Sequence, residues 1–408
     1  MFQRTSARIL IILAVLVVPV SIYFFPEAVA FILGIVGMLA PLWLPALLIA
    51  VGWSLWLNFS RSQFIMSVPY STIELKPGPE TPRSARPMEL VFYSLYHRTD
   101  VSMVSEYLLG HVRVPWSFEV LAHNNAVRFF VHLPTAHREA VESRIRSEYR
   151  DIDIDQVRDY SREIAFDPYT MRLAMCEYSL QKPDPYPLRT YVDREKEKNA
   201  DNAFPELLEE LAGIGEKEYL YLSFIVRPHQ RERKDIFSPA SDSLHDDAHE
   251  EITHLLGHAG DLSAVSDDKK KAIAAIEHAL KKPSFDCGVR ALYMAENGQF
   301  LPNAPEKLAH LFDRYGDTDL NSFAAYDPKT KFGWLLSELF IAVPALLSLY
   351  SLQLFRRRAF FAPPYRGNAF VLNTEELATL FHIPHFTRGS ALSNLRGVRL
   401  EPPANLPV

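Results

Sequence analysis

Apolar residues are concentrated at the start of the chain, in two runs without charged side chains. The runs cover Ile9 to Phe25 and Ala28 to Leu57, and Pro26-Glu27 separates them. A helix that crosses a bilayer needs about 20 apolar residues, and a somewhat shorter run can still span. The pattern therefore predicts a transmembrane helical hairpin over residues 1–60.

The charges that flank this hairpin indicate its orientation. Arg4 and Arg8 precede the first run and Arg61 follows the second, whereas the loop carries only Glu27. Basic residues favour the cytoplasmic side, so we expect both termini and the whole region after Arg61 in the cytoplasm. A cleaved signal peptide is the alternative, since Ala28-Val29-Ala30 fits a cleavage site. The apolar run continues through that site, which favours the uncleaved hairpin.

After residue 60 the pattern changes to short alternating segments separated by amphipathic stretches. Apolar residues alternate over Phe118–Ala122 and Val127–Leu133, with the turn-forming pair Asn124-Asn125 between them. This arrangement predicts a β-hairpin. Residues 61–192 form the first predicted α+β unit. Its further predicted elements are a helix over His137–Tyr149 and a strand over Asp151–Val157.

A similar order recurs in residues 193–330, the second predicted unit. The polar, charged stretch near residues 229–247 predicts a mobile insertion. We therefore expect an α+β protein with two ferredoxin-like α/β units, whose antiparallel sheets are covered by helices. The predicted elements of the second unit are Tyr219–Val226, Lys270–Leu280, Cys287–Ala295, Ala304–Tyr315 and Asn321–Tyr326.

Residues 331–358 form a second apolar region, which includes Glu338 and ends in Arg356-Arg357-Arg358. A third membrane helix is one interpretation, and a buried or interfacial helix is the other. An acidic residue within a span costs ~2.5–3.5 kcal/mol, which favours the second interpretation. The basic triplet is suited to contact with anionic lipid headgroups. Residues 359–408 predict a short helix after Asn373 or Thr374, followed by an extended tail.

Composition and charge narrow the range of functions. The formal net charge of −6 gives no global basic field, so direct contact with nucleic acid is not expected. The chain has two cysteines, Cys176 and Cys287, which fits a reducing compartment and excludes a disulfide framework. Both lie in apolar sequence, so we interpret them as buried structural residues rather than nucleophiles.

No motif for catalysis or metal binding is complete. The sequence lacks the phosphate-binding pattern G-x-x-x-x-G-K-[ST]. Asp151–Asp155 begins like a calcium loop, but Gln156 stands where glycine is needed, which favours a half-buried strand. A histidine cluster lacks the spacing of a zinc protease, which favours a solvated helix over a metal site. We expect no enzymatic activity, catalytic residue, cofactor or bound metal. The cluster comprises His245, His249, His254 and His258.

Several stretches of the chain match a known arrangement when they are taken together. They are Ile73–Leu75, Met88–His97, Ser117–Val120, Val127–Pro134, Glu177–Tyr191, Phe370–Pro384 and Pro402–Pro407. Together they resemble the N-terminal membrane-anchored region of bacterial coupling-protein-like ATPases of type IV secretion and conjugation, of the TraG/TraD and HerA-like kind. The resemblance covers nearly the whole chain, and its most specific part runs from Phe370 to Pro384.

In that family a P-loop motor follows this region, whereas the present sequence ends at Val408. The resemblance therefore implies a non-enzymatic, multi-pass subunit of the bacterial cytoplasmic (inner) membrane, which docks a separate P-loop ATPase of a DNA- or protein-transfer system. A homo-oligomer is compatible with this role. The alternative is a membrane-tethered cytoplasmic binding module unrelated to secretion. The predicted partner-docking tail carries Leu392, Leu395, Val398 and Leu400.

Overall fold

The computed structural model describes residues 24, 26–78, 80–82, 84–96, 105, 109–196, 203–230, 242–257, 266–328, 344–362 and 365–385. The chain divides into two compact units, Met1–Ser60 and Arg61–Val408. The described part of the first unit is helical, and the second combines helices with a β-sheet.

Two apolar helices, α1 (Pro26–Met38) and α2 (Ala40–Ser67), follow one another with a turn at Leu39. Of the helices in the described ranges, α2 is the one long and apolar enough to cross a membrane, with a mean hydropathy of 1.7. Phe24, Pro26 and Glu27 are each helical, so the turn predicted at Pro26-Glu27 is not formed. Apart from Phe24, the first predicted span lies outside the described residues.

The second unit contains one antiparallel sheet in the order β4-β1-β3-β2-β6-β7-β5-β8, and a ninth strand, β9, pairs with β7. The predicted α+β class and the antiparallel pairing are thereby confirmed. The strands are β1 (Tyr70–Pro77), β2 (Trp116–His123), β3 (Ala126–Pro134), β4 (Ile152–Val157), β5 (Met171–Leu180), β6 (Glu218–Pro228), β7 (Ser284–Glu296), β8 (Phe323–Tyr326) and β9 (Phe370–Asn373).

The two predicted sheets are joined into one because β2 pairs with β6. This pairing extends from Trp116↔Val226 to His123↔Tyr219. Both strands are buried along most of their length. Separate sheets would leave buried backbone N–H and C=O groups without partners at these edges, which is costly. The seam between β2 and β6 is therefore at the centre of the molecule's core.

Helices cover one face of the sheet and enclose the main hydrophobic core, to which α3, α4, α6, α9 and α11 contribute buried side chains. The opposite face carries a smaller cluster beneath α10, where Leu352 and Phe355 pack with Tyr160 and Tyr221. The helices are α3 (Arg86–Leu95), α4 (Arg138–Glu148), α5 (Tyr191–Lys196), α6 (Ala203–Leu211), α7 (Ser243–Leu256), α8 (Asp267–Leu280), α9 (Ala304–His310), α10 (Pro344–Arg356) and α11 (Thr374–Leu380).

Two local predictions are confirmed where side-chain chemistry dictates the backbone. Asn124 and Asn125 have φ of 52° and 56° in the β2–β3 turn, a left-handed conformation that asparagine tolerates. Asn373 caps α11 by accepting hydrogen bonds from the backbone N–H groups of Glu375 (2.9 Å) and Glu376 (3.1 Å). The Glu376 side chain accepts from Asn373 N at 2.9 Å, which completes a capping box.

Candidate functional site

The sheet face beneath α10 carries a row of polar side chains at matching positions on neighbouring strands. Alternate residues of a strand point to the same face. The register aligns Glu119 with Ser223, Ser223 with Arg290, and Arg290 with Glu177, and it extends to Tyr326 on β8. Buried charges are costly unless they are paired. The partners of this row therefore show whether its charges are used within the protein or are available to a ligand. Glu119, Ser223, Arg290 and Glu177 are each no more than 1% exposed.

Arg358 pairs with the first carboxylate of the row and with a second acid nearby. Its Nε lies 2.9 Å from Glu119 Oε1 and its Nη2 lies 3.1 Å from Glu119 Oε2. Its Nη1 lies 2.7 Å from Asp159 Oδ2. Ser117 Oγ donates to Glu119 Oε1 at 2.6 Å, and the Tyr160 hydroxyl donates to Glu119 Oε2. Glu119 therefore has partners for both carboxylate oxygens.

These contacts keep the cluster charged despite its burial. Burial alone would raise the pKa of both Glu119 and Asp159, but the charge and hydrogen bonds of Arg358 outweigh it. As a result, the pKa of Glu119 lies below its usual value and the pKa of Asp159 falls to about 2. The same carboxylates raise the pKa of Arg358 against the effect of its own burial. The three groups form a permanently ionised cluster at neutral pH.

A second ion pair, Arg290 with Glu177, lies further along the row, and both side chains are fully buried. Arg290 Nε donates to Glu177 Oε1 at 3.0 Å. The hydroxyls of Tyr326 and Tyr365 donate to Glu177 Oε2 at 2.7 and 2.6 Å. Arg290 also donates to the carbonyl of Leu354 at 3.0 Å. This pair therefore joins β5 and β7 to residues that follow in the chain.

Both clusters bind one part of the chain, residues 344–362 and 365–385, called here the C-terminal segment. The basic triplet predicted to contact lipid belongs to it. Arg358 is instead buried in the ion cluster described above. Arg356 donates to the carbonyls of Ser161 at 2.9 Å and Ile164 at 2.7 Å. Two of the three arginines thus bind the protein's own domain, and Arg357 is exposed.

The C-terminal segment also reaches the helical face of the sheet through β9 and α11. Phe381 packs against Phe118 of β2 and Phe224 of β6, with ring centroids 5.3 and 6.0 Å apart. Glu375 pairs with Lys282, and Glu376 Oε1 accepts from Leu188 N at 2.7 Å. The segment therefore contacts both faces of the sheet, and on the helical face it contacts both strands of the central seam.

The cysteines and the acidic residues of β4, which were considered for chemistry, lie in the surroundings of ordinary structural residues. Burial raises the pKa of the Cys176 thiol to about 12, and the Cys287 thiol is likewise raised by burial, so neither is an activated nucleophile. Ile152 and Ile154 are buried on β4 while Asp153 and Asp155 are exposed, which confirms the half-buried strand. Within the described ranges, no group of three or more His, Cys, Asp or Glu side chains is arranged to hold a metal ion.

Three of the four histidines of the predicted cluster lie in the described residues, whereas the predicted docking tail does not. His245, His249 and His254 are exposed along α7, and His258 lies outside the described residues. The four tail residues also lie outside the described residues, so their role stays a prediction. They are Leu392, Leu395, Val398 and Leu400.

The buried ion pairs are the feature that sequence reasoning missed. The sequence does carry a signal, because Glu119, Glu177 and Arg290 each have apolar neighbours on both sides within a β-strand. A charge within a buried strand requires a partner. The sequence does not indicate which distant residue supplies it, since Glu119 and Arg358 are 239 positions apart.

These features define a class of protein: an α+β domain with buried ion pairs, preceded by a helix with the length and composition of a membrane span. Residues 69–388 match the model of the domain of unknown function DUF8128, and the chain belongs to that family. The match begins beside β1 and ends beyond α11, so the C-terminal segment is part of the family's domain. No curated protein matches the sequence.

Proposed function

We propose that this protein is a non-enzymatic, membrane-anchored subunit that docks a separate P-loop ATPase of a type IV secretion or conjugative DNA-transfer-like system. The proposal combines the sequence resemblance with the way the domain uses its charged groups. In this proposal, the chain binds the partner, and the partner hydrolyses ATP.

The observation that carries the proposal is the attachment of the C-terminal segment. The buried charges of the sheet bind this segment instead of lining an open cleft, and the segment is fastened on both faces of the sheet. A chain held in this way leaves the core at a fixed position near His385, which is hydrogen-bonded to the carbonyl of Thr81 at 2.7 Å. We propose that docking by the following residues starts from this fixed point, because binding sites work best on a rigid base.

The membrane placement is supported by α2. None of the residues in its most apolar window is buried within the protein, which is unfavourable in water and favourable in a bilayer. Arg4, Arg8 and Arg61 flank the apolar N-terminal region and support a multi-pass hairpin in the bacterial inner membrane, with the DUF8128 domain in the cytoplasm. The cytoplasm is also the compartment in which an ATP-driven partner operates.

We further propose that the sheet consists of two ferredoxin-like units fused edge to edge. The strands β1 to β4 lie in the order 4-1-3-2, and β5 to β8 lie in the equivalent order 8-5-7-6. Both sets follow a strand–helix–strand, strand–helix–strand sequence, which is the ferredoxin-like arrangement. In the second set, α7 and α8 are inserted between the two middle strands. We place the boundary between the two units after β4, which keeps β5 with its partners β7 and β8. The boundary predicted from the sequence, at residue 192, would instead assign β5 to the first unit.

The proposed function is tested by affinity purification of the full chain from native membranes, beside a variant that lacks residues 390–408. We expect a P-loop ATPase to co-purify in a near-stoichiometric amount with the full chain and to be lost from the deletion variant. The proposal treats residues 390–408 as a tail that does not stabilise the domain, so the thermal midpoint should stay unchanged.

A variant with the four tail residues changed to serine serves as the matched comparison, since it keeps the tail length. Capture of the ATPase that survives both changes would refute the docking tail. Absence of any P-loop ATPase from the full-chain preparation would refute the proposed function itself. The residues changed to serine are Leu392, Leu395, Val398 and Leu400.

A further inference from the structure

His229 directly follows β6 and lies between two carboxylates that belong to different elements. Its Nδ1 is 2.6 Å from Asp286 Oδ1 on β7. Its Nε2 is 3.5 Å from Asp242 Oδ1, and Asp242 is the N-cap of α7. The side chain is 9% exposed. The imidazole is thus the link between the end of the sheet and the start of the inserted helix.

Other charged groups face the same position. Asp286 Oδ2 is occupied by Arg227 Nε at 2.8 Å and by Arg113 Nη1 at 3.2 Å, so His229 receives the remaining oxygen. Asp184 also interacts with His229 and with Asp247, and burial raises its pKa to about 6, so it gains its negative charge as the pH rises through that value. The carboxylates favour the protonated ring and the two arginines oppose it.

The protonation state decides whether the ring can bind both carboxylates. A neutral imidazole has one N–H donor, whereas the imidazolium ion has two. With the Nδ1 proton directed at Asp286, a neutral ring turns the lone pair of Nε2 towards the negative Asp242. Nε2 has no hydrogen-bond partner within the described residues, so its contact with Asp242 is electrostatic and depends on the positive charge.

Within the described residues, the buried side chains of α7 are Leu244 and Ala248. The helix also lies against α8, and in its third turn Glu251 Oε2 lies 3.2 Å from the Tyr186 hydroxyl. The exposed side of the helix is polar and carries three histidines. A helix with so narrow a buried face opens readily when a contact at its first turn is lost.

We propose that His229 is a proton-dependent clasp, which holds the start of α7 against the end of the sheet when charged and releases it when neutral. The released element is the start of α7, and the sheet itself stays intact. This property is independent of the proposed docking function.

The direction of the pH dependence follows from the surroundings of the ring. Burial by itself lowers the pKa of His229, but the hydrogen bond and charge of Asp286 and the charge of Asp242 outweigh it, so the pKa is raised. The stabilisation is therefore fully present below the unfolded value of about 6.5. It is lost as the pH rises through the higher pKa of the folded protein.

Hydrogen exchange of the full chain tests the clasp, with exchange times scaled for the intrinsic effect of pH. We expect the amides at the start of α7 to lose about tenfold in protection between about pH 6 and about pH 8.5, as for loss of one charge-assisted contact. The variant Asp242→Asn keeps an equally good N-cap but removes the charge. It should show the low protection at both pH values.

His254→Gln, on the exposed side of the same helix, is the control and should behave as the unchanged protein. The pKa of His229, measured by NMR titration, should fall in Asp242→Asn. An unchanged exchange profile in Asp242→Asn would overturn the clasp. So would a His229 pKa that Asp242→Asn does not move.

Discussion

Arg358 fixes the C-terminal segment to the sheet through contacts with residues far away in sequence. Its backbone φ is 48°, in the left-handed region that non-glycine residues seldom occupy. Such a conformation persists when the surroundings determine it, and here two carboxylates, Glu119 and Asp159, hold the guanidinium. The side chain is 4% exposed, so these contacts are shielded from solvent.

We predict that Arg358→Ala lowers the free energy of unfolding by about 3–5 kcal/mol, because it leaves the buried carboxylate of Glu119 without its counter-charge. The measurement is chemical denaturation of the purified protein. Arg357→Ala is the matched control, since Arg357 is the exposed neighbour, and it should change stability by no more than about 0.5 kcal/mol.

The loss of unfolding free energy in Arg358→Ala should also depend on pH. The folded pKa values of Glu119 and Asp159 are depressed, so their contribution is present above the unfolded values of about 4 and disappears as the pH falls towards the Asp159 value of about 2. The difference between Arg358→Ala and the unchanged protein should shrink over this interval. A difference that is constant with pH would contradict the ion-pair explanation.

Residue-level prediction from sequence succeeds where a side chain acts on its own backbone. The Asn124-Asn125 turn and the Asn373 cap are of this kind, because the interacting atoms lie within three positions of each other in the chain. Ion pairs such as Glu177 with Arg290 join residues more than a hundred positions apart. Their existence follows from burial, but their partners follow only from the three-dimensional fold.

At the scale of elements, α10 decides between two interpretations that the sequence leaves open. Leu352, Leu354 and Phe355 are each 2% exposed, and the first and last of these join the cluster on the sheet. The helix ends at Arg356, which is hydrogen-bonded to the domain. The described half of the apolar region is thus a helix packed on the sheet. Residues 329–343 lie outside the description.

The strand β5 is the element that the alternation pattern does not mark. Its sequence, Met-Arg-Leu-Ala-Met-Cys-Glu-Tyr-Ser-Leu, mixes apolar and polar residues without a regular period. The strand is buried on both sides at its centre, because α9 and the core cover one face and the Glu177 cluster occupies the other. Burial on two faces removes the alternation on which a strand prediction depends.

The cap of α11 gives a prediction at this scale. Asn373→Ala should reduce stability by about 1–2 kcal/mol, because the backbone N–H groups of Glu375 and Glu376 lose their acceptor in a buried position. Asn373→Ser restores an acceptor and should recover most of the loss. Thermal unfolding measures both variants. Equal destabilisation by alanine and serine would show that packing of the asparagine, and not the cap, is responsible.

At the scale of the whole molecule, the seam between β2 and β6 and the C-terminal segment both connect the two halves of the sheet. The hydrogen-bonded strands join the two halves of the sheet. Arg358 contacts the first half, Arg290 joins the segment to the second half, and Phe381 packs over the seam. The sequence predicts two units of this class, but the fusion into one sheet depends on contacts between strands that are distant in the chain.

The proposed docking requires the DUF8128 domain to face the cytoplasm, where a P-loop ATPase has access to ATP. A single introduced cysteine tests this most directly. Tyr169 is 84% exposed, while the native Cys176 and Cys287 are 7% and 1% exposed and have raised pKa values. A membrane-impermeant maleimide should therefore react with Tyr169→Cys and leave the native thiols unmodified.

We predict that Tyr169→Cys in spheroplasts stays unlabelled until the membrane is opened, and is then labelled to completion. The unchanged chain, measured in parallel, should remain unlabelled in both conditions. Labelling of Tyr169→Cys in intact spheroplasts would place the domain outside the cytoplasm and contradict the docking of a cytoplasmic ATPase.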